Sequence, residues 1–117
     1  MSPSPTDYLR HILDEAEYIA FALANISSDE FSASPTLTRA ITRSIEIIGE
    51  ATKNLPTDFK VKFPDIEWRN ISRMRDKLIH HYFGTDYDIV WDTAKNAVPL
   101  YANAVREMLN QLNNESD

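Results

Sequence analysis

The chain has 117 residues, a net charge of -6 and no cysteine, which leaves room for one hydrophobic core and excludes a disulfide scaffold or a thiolate metal site. With 43% hydrophobic and 26% charged residues, two glycines and six prolines, the composition suits a helical globular chain and excludes a disordered or collagen-like one. No run approaches the roughly 18 apolar residues of a membrane span, and the start lacks a basic region followed by an apolar core. The expectation is a cytoplasmic protein with no membrane contact, one helical domain over 1–117, with 1–5 and 113–117 as frayed termini.

Thr6 or Asp7 is expected to cap the first helix, whose stripe is Leu9, Ile12, Leu13, Ala16, Ile19, Ala20, Leu23 and Ile26. His11 lies beside that stripe and is given no role, because no second ligand stands at a metal spacing. A polar connection with one aromatic anchor, Phe31, leads to Ser34-Pro35, a cap followed by proline at the first helical position. From Pro35 to about Leu55 a second stripe runs through Leu37, Ile41, Ser44, Ile45, Ile48, Ala51 and Leu55. Its other flank is charged, with Arg39, Arg43, Glu46 and Glu50 at spacings of three and four.

Residues 56–64 form a connector, in which Phe59, Val61 and Phe63 seal the core edge around a short helical turn. Asp65 is expected to cap a third helix that runs to about Phe83 and stops at Gly84. Thr85 or Asp86 then caps the last helix, which carries Pro99 in its interior. A mid-helix proline removes a backbone donor and crowds the preceding turn, so a kink is expected there, near residues 95–99. With no strand and no repeat, the fold class is all-α, an antiparallel four-to-five-helix bundle with its last helix kinked at Pro99.

The third helix carries the chemistry. At about 100° per residue, with Ile71 at the origin, Met74, Leu78, Tyr82 and Ile79 form one apolar face. Arg75 falls near 40°, inside that face. A guanidinium cannot shed its charge, so Arg75 must meet a carboxylate, another subunit or a bound anion. Glu46 and Glu50 are both candidate partners. Beside it, Arg69, Arg73 and Lys77 repeat every four residues as a basic stripe, candidate RNA contacts in a region whose charge is about +3. The acidic whole, by contrast, opposes broad binding to polyanions.

Asp76 and His80 are four apart and stack on one flank, where a carboxylate can fix the imidazole tautomer and keep the ring basic. His80 suits a general acid or base, with the neighbouring His81 as the other choice, and Arg75 suits a phosphate or a charged phosphorus transition state. These are the parts of a metal-independent nuclease in which a ribose 2′-hydroxyl attacks its own phosphodiester. No metal ligand set and no cofactor are expected. Arg75 and His80 differ by about 140° around an ideal helix and point apart within one subunit. A homodimer with the apolar face at its two-fold axis would bring both copies of the motif to one cleft.

The joint order of Ile45-Glu46-Ile47-Ile48-Gly49-Glu50-Ala51, Phe63-Pro64-Asp65-Ile66-Glu67-Trp68, Arg75 to Tyr82, and Phe83-Gly84 with Asp86 and Val90-Trp91 resembles the HEPN superfamily, and more closely its HepT-like branch, formerly the family DUF86. Arg75, His80 and Tyr82 match that branch's arginine, four residues, histidine, one residue, tyrosine motif. The resemblance implies a dimeric helical bundle, the toxin of a toxin-antitoxin pair, that cleaves RNA without a metal. It also implies a partner, a minimal nucleotidyltransferase antitoxin of the MntA type, that transfers AMP to the motif tyrosine, here Tyr82. Tyr82 lies about 20° from Arg75 around the helix, so a phosphate on its phenol would add negative charge where RNA must bind. A second reading, a noncatalytic substrate-binding or partner-binding subunit of a two-component nucleotidyltransferase, rests on the same residues.

Overall fold

The structure is a computed structural model that describes residues 3–80 and 86–115, the side chains of Ile79 and His80 excepted. Seven helices follow in order: α1 (Pro5–Leu23), α2 (Ser28–Ser32), α3 (Pro35–Lys53), α4 (Thr57–Val61), α5 (Trp68–His80), α6 (Tyr87–Asp92) and α7 (Val98–Glu115). A π-helical turn, Thr93–Ala97, joins α6 to α7 without a break. Among the described residues there is no strand, and the all-α bundle expected from periodicity is what forms.

Local chemistry explains most of the helix boundaries. The Ser4 hydroxyl accepts from the Asp7 N–H while the Asp7 carboxylate accepts from the Ser4 N–H, at 3.2 and 2.9 Å, a reciprocal cap with Pro5 at the first helical position. The expected cap at Thr6 or Asp7 is therefore corrected to Ser4: Asp7 takes part as the third helical residue. The Ser4 N–H holds the exposed Asp7 carboxyl below its ordinary value. Ser27 and Glu30 build the same motif ahead of α2, so the connection read as irregular contains a helical turn that seats Phe31 in the core. Ser34 caps α3 and Asp86 caps α6, both as expected.

Asp65 does not cap the third long helix. That helix starts at Trp68, and its first turn closes on the Glu67 carbonyl, which accepts from Ile71 at 3.3 Å. The Trp68 indole N–H, shared between the carbonyls of Lys60 and Phe63 at 3.2 Å each, ties α4 to this start. The expected end at Phe83 and Gly84 lies outside the described residues. Ser4 and Pro5 take part in the first cap, and residues 113–115 lie inside α7.

Pro99 perturbs the last helix one turn earlier than its own position. Its missing N–H and its ring disturb the turn that precedes it, and the chain answers with the π turn over Thr93–Ala97, in which the Val98 N–H donates to the Thr93 carbonyl. The wider turn takes up the mismatch and the helix continues.

α1 packs on α3 and α7, and α3 lies between α1 and α5. The core between them is made of Leu9, Ile12, Ile19, Leu23, Phe31, Ile41, Ile45, Ile48, Val105 and Met108, all at most 2% exposed. Two polar contacts link elements across it. Lys95 donates to the Leu23 carbonyl at 3.4 Å, covering an orphan acceptor at the end of α1, and its ammonium lies 5.2 Å from the Trp91 ring centre.

The second link joins Thr52 and Tyr101, whose hydroxyl oxygens are 2.8 Å apart in the core. The Thr52 proton goes to the Ile48 carbonyl at 2.8 Å, so Tyr101 is the donor between the two hydroxyls. Burial pushes the Tyr101 phenol up from 10.0 to about 12. Thr52→Val should cost about 1–3 kcal/mol in urea unfolding, because it strands a buried donor. The folded-state pKa exceeds the unfolded one, so the stability linked to the neutral phenol is complete below pH 10 and is lost as pH rises toward 12. Tyr101→Phe should remove that decline when unfolding free energies are compared across this range.

Candidate active site

Arg75 is placed by what α3 lacks. α5 lies on α3, and at the crossing stands Gly49, where a Cβ would lie 2.5 Å from the Arg75 Cβ, 2.9 Å from its Cδ and 3.1 Å from its Cγ. No side chain larger than hydrogen fits. The aliphatic stem of Arg75 therefore lies flat on α3, within the face that also carries buried Leu78 and half-buried Ile71 and Met74. The guanidinium reaches past the glycine to Glu50, with Nη2 2.9 Å from Oε2. Of the two carboxylates offered by the sequence, Glu50 takes the arginine, and Glu46 instead pairs with Arg43 at 3.4 Å.

The arginine is covered but not sealed. Its side chain is 25% exposed, and it forms part of the rim of a cleft of about 440 Å³ between α1 and α3. The α1 wall contributes Tyr8 and His11, and α3 contributes Ile47, Glu50 and Ala51, with Asn54 capping its C-terminal end. His11 received no role from the sequence because no second ligand stood at a metal spacing, and with 64 positions separating it from Arg75 no local spacing could join the two. Only the packing of α1 on α3 puts them on one cleft.

The other candidates fall in different places. Asp76 is exposed, 62% for its side chain, with its carboxylate 3.9 Å from the Arg75 guanidinium, so it turns partly toward the arginine. Arg69, Arg73 and Lys77 are all exposed along α5, a basic strip facing solvent. His80 is the last described residue of α5, and its side chain is not described. His81 and Tyr82 lie outside the described residues. Among the described residues, no three histidine or acidic side chains gather into a group that could hold a metal ion, and no helix is long and apolar enough to cross a membrane.

The family model for ribonuclease HepT-like proteins matches residues 10–108. The chain belongs to the ribonuclease HepT-like family. A relative from Caldanaerobacter subterraneus subsp. tengcongensis, named "Putative RNase", is 47% identical over 106 residues, covering 91% of this chain and 95% of the relative. A "Probable ribonuclease HepT" from Thermococcus cleftensis is 44% identical over 99 residues, 85% of this chain and 90% of its own length. A Methanocaldococcus jannaschii relative, also named "Putative RNase", is 40% identical over 110 residues, 94% of this chain and 91% of its own length. No solved structure matches the chain.

The contact at Gly49 makes a direct prediction for this HepT-like chain. Gly49→Ala places a methyl against the fixed stem of Arg75 and should cost about 1–3 kcal/mol from overpacking, only partly offset by the ~1 kcal/mol better helix propensity of alanine. Glu50→Ala removes a half-exposed ion pair and should cost under about 1 kcal/mol. Urea unfolding of the two variants checks the order, and a larger loss from Glu50→Ala would refute the wedge.

Proposed function

We propose that the protein is a metal-independent endoribonuclease whose reacting phosphate is gripped by Arg75. The observation that carries this reading is the placement of one guanidinium, stem fixed at Gly49, head paired with Glu50, on the rim of an open cleft. Membership of the family and the names of its relatives support RNA as the substrate. Arg75 stabilises charge on the phosphorus as the ribose 2′-oxygen attacks and the P–O5′ bond breaks. His80 takes the 2′ proton or returns one to the leaving 5′-oxygen, with Asp76 orienting the ring, and His81 is the alternative carrier. The products are a 2′,3′-cyclic phosphate and a 5′-hydroxyl. The strip of Arg69, Arg73 and Lys77 holds flanking phosphates.

The working unit in this reading is a homodimer. Among the described residues α5 has one substantial neighbour, α3, which leaves its remaining flank open to a second copy. Two copies of the motif then meet at one cleft, which answers the divergence of Arg75 and His80 on a single helix. The off switch is adenylylation by a nucleotidyltransferase antitoxin of the MntA type. The Tyr82 phenolate attacks the α-phosphorus of ATP, pyrophosphate leaves, and the AMP ester adds negative charge next to Arg75. The reading as a noncatalytic subunit draws on the overall charge of -6 and on the fact that Glu50 already neutralises Arg75.

RNA end analysis separates these readings. Unmodified wild type should leave cyclic phosphate ends, and Arg75→Ala and His80→Ala should each lower the rate by about 10²-fold or more. Cleavage that survives both substitutions rejects the site, and no cleavage by unmodified wild type favours the binding subunit. With the cognate nucleotidyltransferase and ATP, intact mass should rise by one AMP in wild type. The same gain in Tyr82→Phe would reject Tyr82 as the acceptor.

A further inference from the structure

The α1–α3 cleft beside Arg75 has a composition that phosphate binding alone does not explain. Its two arginines are each already matched by a carboxylate, Arg43 by Glu46 and Arg75 by Glu50, so the wall is close to neutral as a whole. Between these pairs runs an apolar strip, Ile47 and Ala51, one helical turn apart on α3. Around the strip stand half-buried Tyr8 and the exposed His11 and Asn54, whose hydroxyl, imidazole and amide groups line the cleft and are open to a ligand. At about 440 Å³ the space suits one nucleotide-sized ligand.

We infer that this cleft is a base-binding subsite, which takes the nucleobase next to the phosphate held by Arg75 and gives the enzyme a sequence preference in single-stranded RNA. This rests on the ribonuclease reading for its biological use, but not for the binding itself. The chemistry matches a base on three counts. A base is flat and uncharged, so it suits a neutral wall with an apolar strip better than a second phosphate would. The aromatic ring of half-buried Tyr8 offers a stacking face, and the Asn54 amide carries both a donor and an acceptor for a base edge. His11 stands on the same wall and can bond the ribose or the base. A chain with a charge of -6 repels RNA at long range, so specific short-range contacts of this kind must supply binding that charge does not.

Two measurements on the full-length protein test the inference. In the first, cleavage of a random-sequence single-stranded RNA is mapped by end sequencing, and KM and kcat are measured on one favoured oligonucleotide. Wild type should show a base preference at one position flanking the cut. Asn54→Ala and Tyr8→Ala should flatten it and raise KM about tenfold, with kcat changed much less, as loss of one stacked or read base predicts. Tyr8→Phe should keep most of the affinity, which separates stacking from a folding defect. Unchanged preference and KM in all variants would overturn the subsite while leaving the ribonuclease reading intact. The second measurement is an NMR titration of wild type with each of the four nucleoside 3′-monophosphates. Shifts should centre on Tyr8, His11, Ala51 and Asn54, with one base giving the largest response. This readout stands even where no cleavage is seen, and shifts confined to Arg75 and the basic strip, or absent, would reject base binding.

Discussion

The packing of an arginine stem on a glycine sets the geometry from which the rest of this structure is read. Gly49 lets α5 approach α3 closely enough that the Arg75 methylenes become part of the interface, and the guanidinium emerges at a fixed place on the far side. A long flexible cation would ordinarily carry about 2 kcal/mol of rotamer entropy. Here much of that freedom is removed by packing before any ligand arrives. The same contact favours one carboxylate, since the head emerges beside Glu50 while Glu46 is engaged by Arg43.

α3 is the element that makes this possible. It packs on α1, buries Ile41, Ile45 and Ile48 in the core, and meets α5 through Gly49. Thr52, one turn further on, is pinned through Tyr101 to α7. Ordering of the site thus follows from ordering of the core, because the residues that bury apolar area alternate along one helix with those that place the arginine. Displacement of α3 would move the core packing and the cleft together.

Much of this was legible in the sequence because it is local. The 3.6-residue stripes located the long helices, Ser34-Pro35 and Asp86 marked two of the starts, and the helical angle of Arg75 placed it inside an apolar face where it is indeed half-buried. What escaped depended on distance in the chain. Choosing Glu50 over Glu46 needs the crossing point of α3 and α5, and the presence of Tyr8 and His11 beside Arg75 needs the packing of α1 on α3. The missed caps had a different cause. At both Ser4 and Ser27 a serine is followed three residues later by an acidic residue, a pattern that outweighs the nearer Thr6 and the polar look of residues 27–33. Pro99 was seen, but its effect is expressed as a π turn ahead of it, where the backbone is free to widen.

The pairing of Arg75 with Glu50 raises the question of whether the carboxylate blocks the site or prepares it, and magnitudes decide. Glu50 is 55% exposed, and a half-exposed pair contributes no more than about 1 kcal/mol. A charge-assisted bond from a guanidinium to a phosphate oxygen is worth about 1.5–3 kcal/mol, and a bidentate one is geometrically favoured as well. A phosphate entering the cleft would therefore displace Glu50 or share the guanidinium with it at little cost, since the released carboxylate swings into water. Until then the carboxylate aims the fork outward and prevents a partly covered charge from standing unpaired. Under the proposed function, Glu50 would act as a placeholder for the phosphate, and the packing at Gly49 fixes where the guanidinium could meet it.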